Sequence, residues 1–296
     1  MTLARSLTIA LLLFTSAAAA PVRATDPLAT LRAEIESLVA ASGAEVAVAV
    51  KSLDGKVELL IRPDEEFHAA STMKVAVMVE LFRQATAGDL DLDTAIPVVN
   101  EFRSIVDGSP FSLSAGDDSD RDIYDRIGGQ MTYRELSEVM ITISSNLATN
   151  LLIDRLGADR VQATTDRLGA TGMKVRRGVE DGKAFAAGLN NTTTARGLLV
   201  LLEAIAAGRA GSPEAGREMI EILARQRFND AIPAGLPESV RVAHKTGSIT
   251  RIHHDAGIVY GERPYVLVVL TRGIDQNERS AALIAEIARV VHAAIE

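Results

Sequence analysis

Residues 67–82 read FHAASTMKVAVMVELF, and the rest of the chain is best read outward from them. From Val75 on, apolar side chains fall on every side of a helical wheel, the pattern of a helix buried on all faces. Yet Lys74 stands in its first turn, three residues after Ser71. A buried ammonium is costly unless it is paired, so the lysine needs a reason. Serine at i and lysine at i+3 lie on one helix face, one turn apart. A serine hydroxyl is a poor nucleophile until a base takes its proton. Lysine serves as that base when burial or a second cation lowers its pKa. The same four residues also fit an ordinary N-cap, with Lys74 reaching along the surface to solvent. An S-x-x-K match is expected about once in a chain of this length by composition alone.

Bulk properties set the frame. The chain has 296 residues, a formal charge of −8, no cysteine and no tryptophan. Residues 1–24 read as an export signal: Arg5, the apolar run LTIALLLFTSAAAA, then small residues, with cleavage in the alanine run or after Ala24. That core of about 14 residues is shorter than the roughly 20 that span a bilayer. Without cysteine there is neither a lipoprotein anchor nor a disulfide scaffold. Loss of Arg5 and Arg23 with the signal takes the charge from −8 to −10. With no basic stripe left, nucleic acid is excluded as a partner. The expectation is a periplasmic or secreted protein that works as a monomer, with no membrane anchor after cleavage.

The element pattern predicts a helix over 26–42, with Asp26 as cap and Gly43 as stop. Two strands follow, EVAVAVKS and KVELLIR, joined by a turn at Asp54-Gly55. After the helix that follows Ser71, residues 87–130 are polar and loop-rich. Helical patterns then return at TYRELSEVMITI, SNLATNLLIDRLG and DRVQATTDRLG, and again near 193–208 and 213–226. Three strands, SVRVAHKTGS, HDAGIVYG and YVLVVLTRG, precede a last helix capped by Asp275. Short links at both ends favour antiparallel pairing. The predicted fold is of the α/β class (α+β type): a five-stranded antiparallel sheet flanked by N- and C-terminal helices, plus an all-α lobe. One catalytic unit spans 25–296, with an α/β lobe of about 25–70 and 210–296 and a helical lobe of about 71–209. Clefts between lobes are common ligand sites.

Two later stretches give the serine–lysine pair its context. In ISSNLATNLL, Ser144 and Asn146 stand at a helix start, where N-capping by Ser144 or Ser145 is the simpler explanation. In HKTGS, Lys245, Thr246, Gly247 and Ser248 end a strand. Gly247 admits a ligand close to the backbone, Lys245 supplies charge, and the Ser248 N–H is placed for an oxyanion. A polar strand end turning into a loop is the plain alternative.

With S-x-x-K, S-x-N and K-T-G in order, each in its expected element, the chain resembles the penicillin-recognising serine enzymes, most closely the class A β-lactamases. The resemblance covers nearly the whole chain after residue 24. It implies a β-lactamase/transpeptidase-like fold and no cofactor. It also implies an acyl-enzyme on Ser71, with Lys74 helping to deprotonate it and Ser144 relaying a proton to the leaving nitrogen. Asn146 would bind the substrate side-chain amide, and Lys245 and Thr246 the substrate carboxylate. The Ser71 and Ser248 N–H groups would form the oxyanion hole beside Gly247. The implied substrate is a β-lactam or a peptidoglycan-like molecule. A DD-peptidase, transpeptidase or esterase on the same scaffold, or a penicillin-binding sensor that acylates and stops, is the alternative.

The chain departs from the family pattern at two places. Ser145 stands where S-D-N has an aspartate, a residue that in the family supports its loop. The family's deacylating glutamate is followed four residues later by asparagine. Here Glu180 in GVEDGKAFAAGLNN is the candidate base, but Ala184 stands four residues on, with Asn190 and Asn191 beyond. Asp181 is the substitute base. Residues 100–128 are longer than in compact members and are expected near the cleft, with DDSDRD as a solvated acidic loop and not a calcium site. His253 and His254 are neighbours on a strand, so they point to opposite faces and do not share a metal ion. One of them is expected to face the cleft. Arg251 and Arg272 are candidates for a substrate carboxylate.

Overall fold

A computed structural model describes residues 26–296; the export signal read at 1–24 lies outside them. The central sheet has five antiparallel strands: β1 (Glu45–Ser52), β2 (Glu58–Ile61), β3 (Arg241–Ile249), β4 (Ile252–Tyr260) and β5 (Tyr265–Arg272). Their spatial order is β2-β1-β5-β4-β3, so the two strands from the start of the chain lie beside the three from its end and join them at β1–β5. Val48 of β1 faces Val269 of β5, and Lys245 of β3 faces Ala256 of β4.

The alternation in EVAVAVKS sorts two cores, because successive strand side chains point to opposite faces. Val46, Val48 and Val50 join Leu31 and Ile35 of α1 (Pro27–Ser42) and Ile284, Ile287 and Val291 of α9 (Asn277–Ile295) on the outer face. Ala47 and Ala49 join Val266, Val268 and Leu270 in the inner core. A sheet covered on both faces explains why YVLVVLTR is apolar without alternation.

The inner core is built around α2 (Lys74–Ala87), in which Lys74 through Phe82 are all buried. It packs against α3 (Tyr133–Thr142), α4 (Asn146–Leu156), α5 (Ala158–Leu168), α7 (Ala195–Ala206) and α8 (Pro213–Ala224). Neighbours on every side are why its sequence is apolar on every side. α7 also lies against β1 and β5, and α8 against β3, so these two helices join the helical region to the sheet.

The expected caps are present at both ends of α1: Asp26 accepts from the Leu28 N–H at 3.0 Å, and Gly43 closes the helix in the left-handed region at φ 70°. A full capping box of Thr132 and Glu135 starts α3. The expected cap of the last helix is corrected. α9 begins after Gln276 without a side-chain cap, and Asp275 instead meets Arg251 Nε at 3.1 Å. Among the described residues no helix is long and apolar enough to cross a membrane.

Candidate active site

Ser71 lies in a single 3₁₀ turn, Ala70–Met73, that leads into α2. The turn enters through Ala70 at φ 46°, a left-handed conformation that costs a non-glycine residue of order 1–3 kcal/mol. Three contacts hold it. The Ala70 N–H donates to His68 Nδ1 at 3.0 Å, the Ala69 N–H to the Asn191 carbonyl at 2.9 Å, and Thr72 Oγ1 to the Ala69 carbonyl at 2.6 Å. Burial and the nearby Arg177 lower the His68 pKa, which keeps the Nδ1 lone pair available as that acceptor. Gly247 of β3 lies flush on the turn: a Cβ there would sit 3.0 Å from both the Ser71 and Thr72 nitrogens. A side chain there would push the turn back by a few tenths of an ångström, so the K-T-G glycine lets β3 lie close against Ser71.

Below Ser71, two lysines converge on one hydroxyl. Lys74 Nζ is 3.2 Å and Lys245 Nζ 3.0 Å from Ser144 Oγ. Lys74 also donates to the Ser144 carbonyl at 2.7 Å and to Asn146 Oδ1 at 2.9 Å, and Lys245 to the Thr246 carbonyl at 2.8 Å. Both lysines are fully buried. Burial brings Lys74 down to about 7, against the pull of Asp118 and Glu180 toward the charged form. Burial, and then repulsion from Lys74, holds Lys245 well below its ordinary value. A neutral lysine in this pair is a proton acceptor near neutral pH. Ser144 itself is left-handed at φ 62°, and in that conformation its carbonyl and its hydroxyl both meet Lys74.

α4 ties this centre to the loop carrying Glu180. Asn146 donates through Nδ2 to Glu180 Oε1 at 3.3 Å. One turn on, Asn150 clasps the backbone of Val179, accepting from its N–H at 2.6 Å and donating to its carbonyl at 2.9 Å. Gly178 makes room for that clasp, since a Cβ would lie 2.3 Å from Asn150 Oδ1. Glu180 follows at φ 61° and borders the cleft. The loop's base is closed by Arg177, buried and bonded to the carbonyls of Leu189 and Gly178 and to Asn190 Oδ1. Asn191 holds the backbone of Arg176 and Arg177. Asn190 and Asn191 are thus loop fasteners. Asp181 is engaged as well: it caps the short helix α6 (Gly182–Ala186) by accepting from the Ala184 N–H at 3.1 Å, and it accepts from Ser104 Oγ and the Ile105 N–H, both at 3.0 Å. Against the desolvation of burial, those three bonds lower its pKa and tie it to the loop, so it is a weaker base than a carboxylate free to turn to the cleft.

The cleft above these groups has a volume of about 580 Å³. Ser71, Ser144, Asn146, Glu180 and Ser248 line it, and Asp117 and Ser119 bring the long 100–128 segment to its wall. Several expectations are corrected. Arg272 is held by Glu45 and Glu65 and lies over the Phe67 ring, while Arg251 bonds Gly273 O and Asp275, so neither borders the cleft. His254, brought down to about 4 by burial, donates to the His68 carbonyl and accepts from the Thr271 N–H beneath the site. His253 turns toward the Asn277 carbonyl. DDSDRD is solvated only in part: Asp117, Ser119, Arg121 and Asp122 are exposed, but Asp118 and Asp120 are buried, at 6% and 5% exposure. Asp118 accepts from the N–H groups of Asn146 at 3.0 Å and Leu147 at 2.9 Å, at the start of α4. Sequence reasoning also missed Asn150, although its spacing of one helical turn after Asn146 was a usable signal.

A family model described as "Beta-lactamase enzyme family" matches residues 30–295. The chain is similar to Beta-lactamase Toho-1 of Escherichia coli, 27% identical over 88% of each chain. It is also similar to Beta-lactamase AST-1 of Nocardia asteroides, 30% identical over 88% of this chain and 81% of that one. Among solved structures it is similar to PBP-A, 29% identical with a TM-score of 0.76 over 90% of this chain and 95% of the other.

Proposed function

The chain belongs to the beta-lactamase enzyme family, and on that premise we propose that it hydrolyses β-lactams through an acyl-enzyme on Ser71. The observation that carries this reading is the Ser144 hydroxyl held between Lys74 and Lys245 beside the serine turn. Neutral Lys74 takes the Ser71 proton, and Oγ attacks the lactam carbonyl. The C–N bond then breaks, and the nitrogen receives a proton from Ser144, which recovers one from the lysine pair. Backbone N–H groups of Ser71 and Ser248 face the developing oxyanion, and Lys245 and Thr246 hold the substrate carboxylate. Asn146 binds the side-chain amide. Glu180 then takes a proton from water, the hydroxide adds to the ester, and Ser71 leaves with its proton restored. All these groups come from one chain, so a monomer suffices for the chemistry, and a monomer is part of the proposal. Export to the periplasm or medium, with cleavage in the alanine run or after Ala24, completes the proposal; the N-terminal sequence of the mature protein tests it.

A second reading, acylation without turnover, is favoured by Ala184 standing four residues after Glu180 and by the similarity to PBP-A, a mutant of which was solved as an acyl-enzyme complex with penicillin-G. A time course of intact mass with excess benzylpenicillin separates the two. Turnover, with an adduct that decays or never accumulates, is expected. A stable adduct selects the second reading. Ser71→Ala is expected to lose both adduct and turnover while keeping its fold, and normal hydrolysis by that variant would sink the mechanism.

A further inference from the structure

We propose that Asp118 is a positioning residue for acylation: from outside the S-x-N motif, its carboxylate fixes the turn that carries Ser144 and Asn146. The proposal rests on the acyl-enzyme reading above. Ser145 leaves the motif without a carboxylate of its own. It is fully buried, and its hydroxyl is spent on capping Ala148 at 3.3 Å. Into the gap comes Asp118, a residue some 26 positions upstream of Ser144 in the long polar segment. Both of its oxygens lie 3.0 Å from the Asn146 nitrogen, and Oδ2 is 2.9 Å from the Leu147 nitrogen. Tyr124 Oη donates to it at 3.1 Å and the Asp120 N–H at 3.0 Å.

Its hydrogen-bond partners are neutral donors. A buried carboxylate held in this way is stabilised by the backbone N–H groups at the start of α4 and by the field of that helix. The coupling is to geometry. Ser144, two residues before the bonded Asn146 nitrogen, is in the left-handed region, and its hydroxyl must stay between two lysines at 3.2 and 3.0 Å. Strained conformations persist only where their surroundings over-determine them. A displacement of about 1 Å in such a relay costs on the order of 10²-fold in rate. The charged groups acting on Lys74 are Lys245 from β3, Asp118 from its loop and Glu180 from the opposite loop.

An aspartate should therefore serve at 118 or at 145, but not at both. The test compares Asp118→Asn, Asp118→Ala, Ser145→Asp and the Asp118→Ala/Ser145→Asp double variant. Acylation by benzylpenicillin is measured by stopped flow across pH, and each melting temperature is recorded. Asp118→Asn is expected to slow acylation by ~10- to 100-fold. Its acid limb should also move to lower pH, because a negative charge that favours protonated Lys74 is gone. The double variant should recover most of the rate and melting temperature that Asp118→Ala loses. Ser145→Asp alone should melt below wild type, with two carboxylates crowded at one helix start. If Asp118→Ala does not fold, Asp118→Asn and Tyr124→Phe carry the rate test, the latter with a loss of ~2- to 5-fold. A wild-type rate and acid limb in Asp118→Asn, or a double variant no better than Asp118→Ala, overturns the proposal. If the wild type is not acylated at all, the acyl-enzyme reading fails instead, and the melting-temperature cycle alone decides the role of Asp118.

Discussion

The two halves of the site are built differently. The half that carries Ser71, Lys74, Ser144 and Lys245 stands at the ends of regular elements and is closely packed beneath the cleft, down to a glycine at which a Cβ would press on the Ser71 and Thr72 nitrogens. The half that carries Glu180 is an irregular loop, held by side chains reaching from elsewhere: Asn150 from α4, Asn191 at its base, and Ser104 across from the long segment. A centre set in packed elements tolerates little change and reads clearly in sequence. A loop held by scattered fasteners can be loosened one fastener at a time. It follows that acylation and deacylation should respond separately to mutation.

The sharpest way to break that comparison is Glu180→Gln. It keeps the loop's shape and the Asn146 contact but removes the proposed base, so deacylation should fall by ~10²- to 10⁴-fold while acylation stays within a few fold of wild type. The readout is a trapped penicillin adduct in single-turnover mass spectra. Equal losses in both steps would mean the two halves are not separable. Next in size is pH. If neutral Lys74 is the acylation base, the acylation rate rises as Lys74 loses its proton, with an acid limb centred near its value of about 7. An acid limb in the ordinary carboxylate range would move the role of base to Glu180. Gly178→Ala is a smaller intervention. The new methyl would press on Asn150 Oδ1 and displace the backbone before Glu180; deacylation should slow by ~10-fold with acylation unaffected. Smallest is Ile287→Val on the outer face of the sheet, which should cost about 0.5–1.5 kcal/mol in denaturant unfolding and change neither rate.

The same contrast explains what the sequence alone made legible. S-x-x-K, S-x-N and K-T-G could be read because each sits at fixed spacing on an element whose period is visible. β1 and the two cores could be read because Val and Ala alternate. The fasteners could not. Asp118 looks like any acid in a polar run, and only the folded chain brings it to the Asn146 N–H. Arg272 is a candidate carboxylate binder by sequence; Glu45 and Glu65, far away along the chain, claim it instead. Asp275 was a sound cap by local rule, and a long-range partner, Arg251, took its carboxylate. In each case the unread part is a side chain whose partner lies far away along the chain.

The strand order β2-β1-β5-β4-β3 has a consequence for how the molecule comes into being. β1 emerges early in synthesis, but the neighbour that completes its pairing, β5, ends at Arg272, near the last helix. The wall behind Ser71, with Gly247, arrives almost as late. An N-terminal fragment that ends before residue 241 would thus hold the serine–lysine helix without the β3 wall that presses on Ser71. Pairings this distant are closed slowly, since the loop between them must be ordered before any contact repays it. During that interval β1 is paired with β2 alone and its other edge is open, and the rate of refolding should be set by the return of the last fifth of the chain.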